Sequence, residues 1–125
     1  MATEATKRND LTYITDVWEN EPNIDGDYLA KSLVATPHIA GYSAQGKANA
    51  TALAVQALAH YFHLPLTNWQ PTEVKDVTPK LISWEEMCAT IEQYCDLATE
   101  SKALRNNPEL FESLRNNYRY REEYF

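Results

Sequence analysis

The chain has 125 residues, enough for one domain or one domain with an extension. Apolar residues make up 44% and charged residues 23%, ordinary globular usage that excludes global disorder. Eleven Lys and Arg against eighteen Asp and Glu leave a net charge of −7, which argues against nucleic acid or an anionic membrane as a partner. The longest apolar stretch, Ala48 to Phe62, is broken by Asn49, Thr51, Gln56 and His60, so no membrane span is expected. The opening ten residues have no apolar core and do not read as a secretory signal. Cys88 and Cys95 are expected on one helix face, too far apart to bridge, as reduced thiols of a cytoplasmic chain. Gly26, Gly41 and Gly46 are the only glycines and form no G-x-G pair, so no Gly-rich phosphate loop can be written.

In chain order, Leu11 to Trp18 is rich in β-branched and aromatic residues and predicts a short strand, stopped before Pro22. Gly26 to Ser32 predicts one or two helical turns. Leu33 to Thr36 is a second short strand ended by Pro37. Strand, short helix, strand is a parallel α/β pattern, whose ligands bind beyond the strands' carboxyl ends. Ser43 caps a long helix running to about Phe62, with Ala48, Ala52, Val55, Ala59 and Phe62 as its apolar stripe. Residues 65–80, with Pro65, Asn68, Pro71 and Pro79, read as a linker. Ser83 and Glu86 form a capping box for a helix whose apolar face is Trp84, Met87, Cys88, Ile91, Tyr94 and Cys95. Asn107-Pro108 starts a last helix showing Phe111, Leu114 and Tyr118. The tail from Tyr118 to Phe125 is aromatic and charged.

Glu21 and His38 each fall just past a strand end. A carboxylate beside one imidazole nitrogen fixes the tautomer and favours the protonated ring, leaving the other nitrogen to exchange a proton. On spacing alone, a solvated loop acid and a turn histidine remain the alternative. Other candidates are weaker. His60 and His63 could share a metal face, but no third ligand is spaced to help, so no metal is expected. Cys88 and Cys95 are not in a C-x-x-C and read as core thiols. Arg115, Arg119 and Arg121 could meet a phosphate, but with Glu112, Glu122 and Glu123 close by in sequence a solvated or salt-bridged surface is the expected reading.

Asp16-Val17-Trp18-Glu19-Asn20-Glu21-Pro22, followed by Thr36-Pro37-His38-Ile39-Ala40-Gly41-Tyr42, resembles the NAD-dependent D-2-hydroxyacid dehydrogenases. Those enzymes carry a D-V-[FW]-x-x-E-P strand end and a T-P-H-I-[AG]-G turn. Trp18, the Gly41-Tyr42 pair and Phe111-Glu112-Ser113-Leu114-Arg115-Asn116-Asn117-Tyr118 resemble a narrower branch acting on a small phosphorylated 2-hydroxy acid. The resemblance covers residues 9–125. It implies that His38 is the catalytic acid–base and Glu21 its partner. It also implies that Asp16 and Gly41 approach the NAD nicotinamide and that Tyr42 touches substrate; the residues alone equally allow a strand-end cap at Asp16, a turn glycine at Gly41 and a packing aromatic at Tyr42. The fold it implies is α/β: a truncated Rossmann-like end piece, a long connecting helix and a mostly helical or α+β dimerisation module. The expected boundaries are 1–42 for the remnant of the NAD-binding domain, 43–64 for the helix, 65–80 for the linker and 81–125 for the homodimer module.

The family's arginine for the substrate carboxylate and its G-x-G-x-x-G turn are both missing, so the sequence looks like the C-terminal portion of such an enzyme, inactive alone. The alternative is a non-catalytic association module presenting Trp84, Met87, Ile91, Phe111 and Leu114. Ile14, Val17, Leu33 and Val34 are expected to be poorly covered, making the first forty residues the least stable part.

Overall fold

The computed structural model describes residues 4, 6–74 and 80–123. Pro79 of the expected linker and Tyr124 and Phe125 of the tail lie outside the described residues. In chain order the elements are β1 (Tyr13–Thr15), α1 (Gly26–Lys31), β2 (Ser32–Ala35), α2 (Ala44–Tyr61), α3 (Trp84–Tyr94), α4 (Leu97–Asn106), a 3-10 turn (Pro108–Leu110) and α5 (Phe111–Asn116). The architecture is mixed α/β. The chain divides into two compact units, one up to Ala40 plus Cys95–Arg119, the other Gly41–Tyr94 plus the chain from Tyr120.

In the first unit, β1 and β2 pair in parallel, with Ile14 opposite Val34 and Thr15 opposite Ala35. The crossover is α1, capped by Asp25, whose carboxylate accepts from the Tyr28 N–H at 2.7 Å. The core is Trp18, Leu29, Ala35, Leu104 and Phe111, with Ile24, Tyr28 and Leu114 packed against it. Helix α4 packs on β2 and ties down its backbone: Ser101 Oγ accepts from the Ala35 N–H at 3.0 Å. The Arg105 guanidinium donates to the Ser32 and Leu33 carbonyls.

That helix is absent from the sequence reading, which runs one helix through Cys88 and Cys95. Helix α3 ends at Tyr94, and Asp96 caps α4 by accepting from the Thr99 N–H at 3.0 Å, so the two cysteines do not share a helix. The stripe Leu97, Ser101, Leu104 was masked by its serine, which is buried because it serves the β2 backbone. The expected helix at Asn107 starts later: a 3-10 turn comes first, and Tyr118 lies beyond α5. Phe111 is 1% exposed and belongs to the core, not to an association surface. Ile14, Val17 and Leu33 are exposed as expected, yet the same segment supplies Trp18, Leu29 and Ala35 to the core. Strand β1 is shorter than the apolar run because Asp16 and Trp18 are drawn into loop hydrogen bonds.

In the second unit, fully buried Ser43 caps α2 by accepting from the Gly46 N–H at 2.9 Å. A Cβ on Gly46 would lie 2.7 Å from that hydroxyl oxygen, so the cap requires glycine there. Ala52 and Ala59 are the buried positions of the expected stripe; Phe62 is 61% exposed and sits at the C-cap. The helix ends in a Schellman turn, with the Leu64 N–H donating to the Ala59 carbonyl and His63 at φ 54 in the left-handed position. This gives His63 a backbone role. The Gln56 amide donates to the Trp69 carbonyl at 2.8 Å, holding the segment after α2 against it. Around α3 the capping box is present: Ser83 N–H donates to Glu86 and Glu86 N–H to Ser83. The tail returns to the start of α2, where Ala44 N–H donates to the Arg121 carbonyl at 2.8 Å and Glu123 N–H to Gln45 Oε1 at 2.9 Å. Among the described residues no helix is long and apolar enough to cross a membrane.

Candidate active site

The site in the first unit is built from the two loops that follow the parallel strands. Trp18, buried in the core, fixes one: its indole N–H donates to the Thr36 carbonyl at 2.9 Å, and its backbone N–H donates to Glu21 Oε1 at 2.8 Å. Asn20, at φ 60, turns the chain so that Glu21 folds back on Trp18. The other oxygen, Glu21 Oε2, lies 2.8 Å from His38 Nδ1. An ionised carboxylate only accepts, so beside one, Nδ1 carries the hydrogen and Nε2 is the ring nitrogen outside the contact. The pair is partly shielded, with the side chains 35% (His38) and 19% (Glu21) exposed.

His38 itself has φ 57, a conformation costing an L-residue about 1–2 kcal/mol. Asp16, at the end of β1, holds it there. One carboxylate oxygen accepts from the Thr36 hydroxyl at 2.6 Å and the Ile39 N–H at 2.8 Å; the other accepts from the Ala40 N–H at 3.1 Å. The two N–H groups after His38 are thus clasped by one side chain, which over-determines the strained turn. At the sequence level Asp16 is read as a cofactor contact or a strand-end cap; its clasp on the two N–H groups after His38 is not foreseen there. Both of its oxygens are engaged within the loop.

Gly41 and Tyr42 belong to the second unit. Gly41 has φ 76, and a Cβ there would meet no atom within 4 Å, so its glycine answers the backbone conformation and leaves open space beside it. The Tyr42 ring packs edge-on to Tyr120, centroids 5.7 Å apart, and the Lys47 ammonium sits 3.5 Å from the Tyr42 ring centroid. Neither Lys47 nor Tyr120 carries a signal in the sequence, because their meeting depends on the returning tail.

Can these residues hold a dinucleotide? In the first unit, the His38 imidazole is the group able to exchange a proton beside a bound cofactor. The sequence holds no Gly-rich turn for a pyrophosphate. A shallow cleft in the first unit, lined by Pro22, Asn23, Ile24, Pro108, Glu109 and Glu112, carries two carboxylates and is ill-suited to an anion.

No protein-family model matches the chain. Among curated proteins it is 44% identical over 112 residues to the erythronate-4-phosphate dehydrogenase of Bacteroides fragilis, covering 88% of this chain and 31% of that protein. The enzyme of the same name from Bacteroides thetaiotaomicron is 41% identical over 110 residues, with the same coverage. That of Coxiella burnetii is 36% identical over 120 residues, covering 87% of this chain and 32% of its own. The chain spans about a third of the length of the curated relatives it matches. Over that third, the chain is similar to the erythronate-4-phosphate dehydrogenases.

Proposed function

We propose that this chain supplies the acid–base half of an NAD-dependent dehydrogenase that oxidises 4-phospho-D-erythronate at C2. The product is 2-oxo-3-hydroxy-4-phosphobutanoate, and the pathway is pyridoxine biosynthesis in the cytoplasm. The carrying observation is the 2.8 Å contact between His38 Nδ1 and Glu21 Oε2. In this reading His38 Nε2 takes the C2 hydroxyl proton as the carbonyl forms, and Glu21 stabilises the resulting imidazolium. The nicotinamide, when bound, accepts the C2 hydride. Asp16 acts through the loop it clasps, setting the imidazole, while Gly41 leaves room at the cofactor and Tyr42 contacts substrate. The arginine for the substrate carboxylate and the pyrophosphate turn come from a nucleotide-binding portion like that of the relatives, so the chain alone has no turnover.

The test joins this chain to the remaining two-thirds of the Bacteroides fragilis relative and follows NADH formation from erythronate 4-phosphate. His38→Ala is expected to lower kcat by about 10²–10⁴-fold with substrate affinity little changed. A variant that changes only KM refutes the acid–base assignment.

A homodimer formed through α3 is the second part of the proposal. Helix α3 has no buried residue, Trp84 is 71% exposed and Ile91 40%, so this face is available to a second copy. Sedimentation equilibrium reads it directly: a monomer at every accessible concentration defeats the dimer.

A further inference from the structure

We propose that Lys47 and Arg121, both set against Tyr42 in the second unit, form the subsite that binds the phosphate dianion of a phosphorylated hydroxy acid. The identity of that ligand rests on the dehydrogenase reading above; the anion site does not. In a chain of net charge −7, cations have acidic partners to choose from. Lys7 pairs with Glu4, and Arg8 with Asp10. Lys47 and Arg121 pair with no carboxylate among the described residues, and neither do Lys31, Lys80, Lys102, Arg105 and Arg119; what sets these two apart is that they meet at one residue.

The two cations are brought to one residue. The Lys47 ammonium lies 3.5 Å from the Tyr42 ring centroid and 5.9 Å from that of Tyr120. Arg121 Nη1 lies 3.5 Å from the Tyr42 carbonyl oxygen, at the limit of a hydrogen bond. Its position is fixed by its backbone, which pairs with Ser43 and accepts from the Ala44 N–H. Lys47, Arg121 and Tyr42 are each half-buried. Two half-buried cations set against one tyrosine offer an anion two charged partners. A cation–π contact consumes none of the three ammonium N–H donors, and a guanidinium making one long hydrogen bond keeps most of its five. The donors are therefore those a phosphate takes. Helix α2 has no acidic residue in its first turn and adds a small field of the same sign, but the two side chains carry the argument.

The experiment titrates the full chain with inorganic phosphate at constant ionic strength. Amide and side-chain NMR signals of residues 42–47 and 121 report binding. Saturable shifts confined to this cluster are expected. Lys47→Gln and Arg121→Gln should each raise Kd about tenfold, while Lys47→Arg, which keeps the charge, stays within about threefold. Erythronate 4-phosphate should shift the same signals, and unphosphorylated erythronate should not. Shifts that grow linearly, or that chloride reproduces, mean an adventitious ion only and overturn the site. So does a Kd unchanged in both glutamine variants whose spectra stay dispersed. Equal responses to erythronate with and without phosphate overturn the ligand. Phosphate binding without turnover in the joined enzyme defeats the dehydrogenase reading alone. Turnover lost in His38→Ala without a phosphate site defeats the subsite alone.

Discussion

The two units bury their apolar side chains very differently. In the first, Trp18, Leu29, Leu104 and Phe111 meet around Ala35, and the sheet backbone is satisfied by Ser101 and Arg105. In the second, the fully buried apolar positions of α2 are the alanines Ala52 and Ala59, while Tyr61 is 77% exposed and Trp84 71%. Large side chains interlocked in a core hold one geometry, which a histidine in a left-handed turn needs. Small buried residues and large exposed ones leave a surface whose apolar area is still to be covered. The unit that holds the Glu21–His38 pair thus has an interlocked core, and the unit bearing Tyr42 leaves large apolar side chains uncovered.

The strongest blow to this contrast is a cavity in the first unit. Phe111→Ala should destabilise it by about 3–5 kcal/mol in denaturant melts followed by Trp18 fluorescence. A loss below 1 kcal/mol would mean that the core does not carry the unit. Next comes Gly46→Ala, whose Cβ would press on the Ser43 cap and lie 3.0 Å from the Gly41 carbonyl. Despite alanine's better helix propensity, it should cost about 1 kcal/mol, read as lost helical ellipticity on heating. A stabilised variant would show the cap to be dispensable.

A smaller, pH-dependent effect sharpens the comparison at α4. The Thr99 side chain, then its backbone N–H, lowers the Asp96 pKa below the ordinary carboxylate value. Its contribution is present above the unfolded carboxylate pKa of about 4 and is lost as pH falls through the folded value. Asp96→Ala should therefore lower Tm at pH 7, with the gap closing in acid. Glu100 has the opposite sign, since burial, then Asp96, raises its pKa and acidification relieves it. Glu100→Gln should raise Tm at pH 7 and make no difference once the carboxyl is protonated. The least change belongs to Trp84→Ala, which should leave the monomer's Tm within about 0.5 kcal/mol equivalent while abolishing any dimer. A large loss of monomer stability would mean that α3 is already packed.

The sequence made the parallel strand–helix–strand unit and the Glu21–His38 pair legible because both are local. Short β-branched runs end at Pro22 and Pro37, and each candidate sits directly after its run. The Ser83–Glu86 box was legible for the same reason. What escaped depended on distant partners. Ser101 and Arg105 look like polar surface residues until β2, some seventy positions earlier, needs a donor and an acceptor. Phe62 has the right spacing for the α2 stripe but falls at the cap, where the helix has already turned away. Asp16 resembles an exposed strand end, and only the fold shows three donors converging on it.

The bonds from α4 to β2 also set the direction in which the sheet can grow. With the Ala35 N–H and the Leu33 carbonyl already engaged by side chains, an incoming strand finds no register on that flank. Any extension of the ladder must enter alongside β1, so the same two residues that anchor a helix also serve as a stop against self-templated stacking through β2.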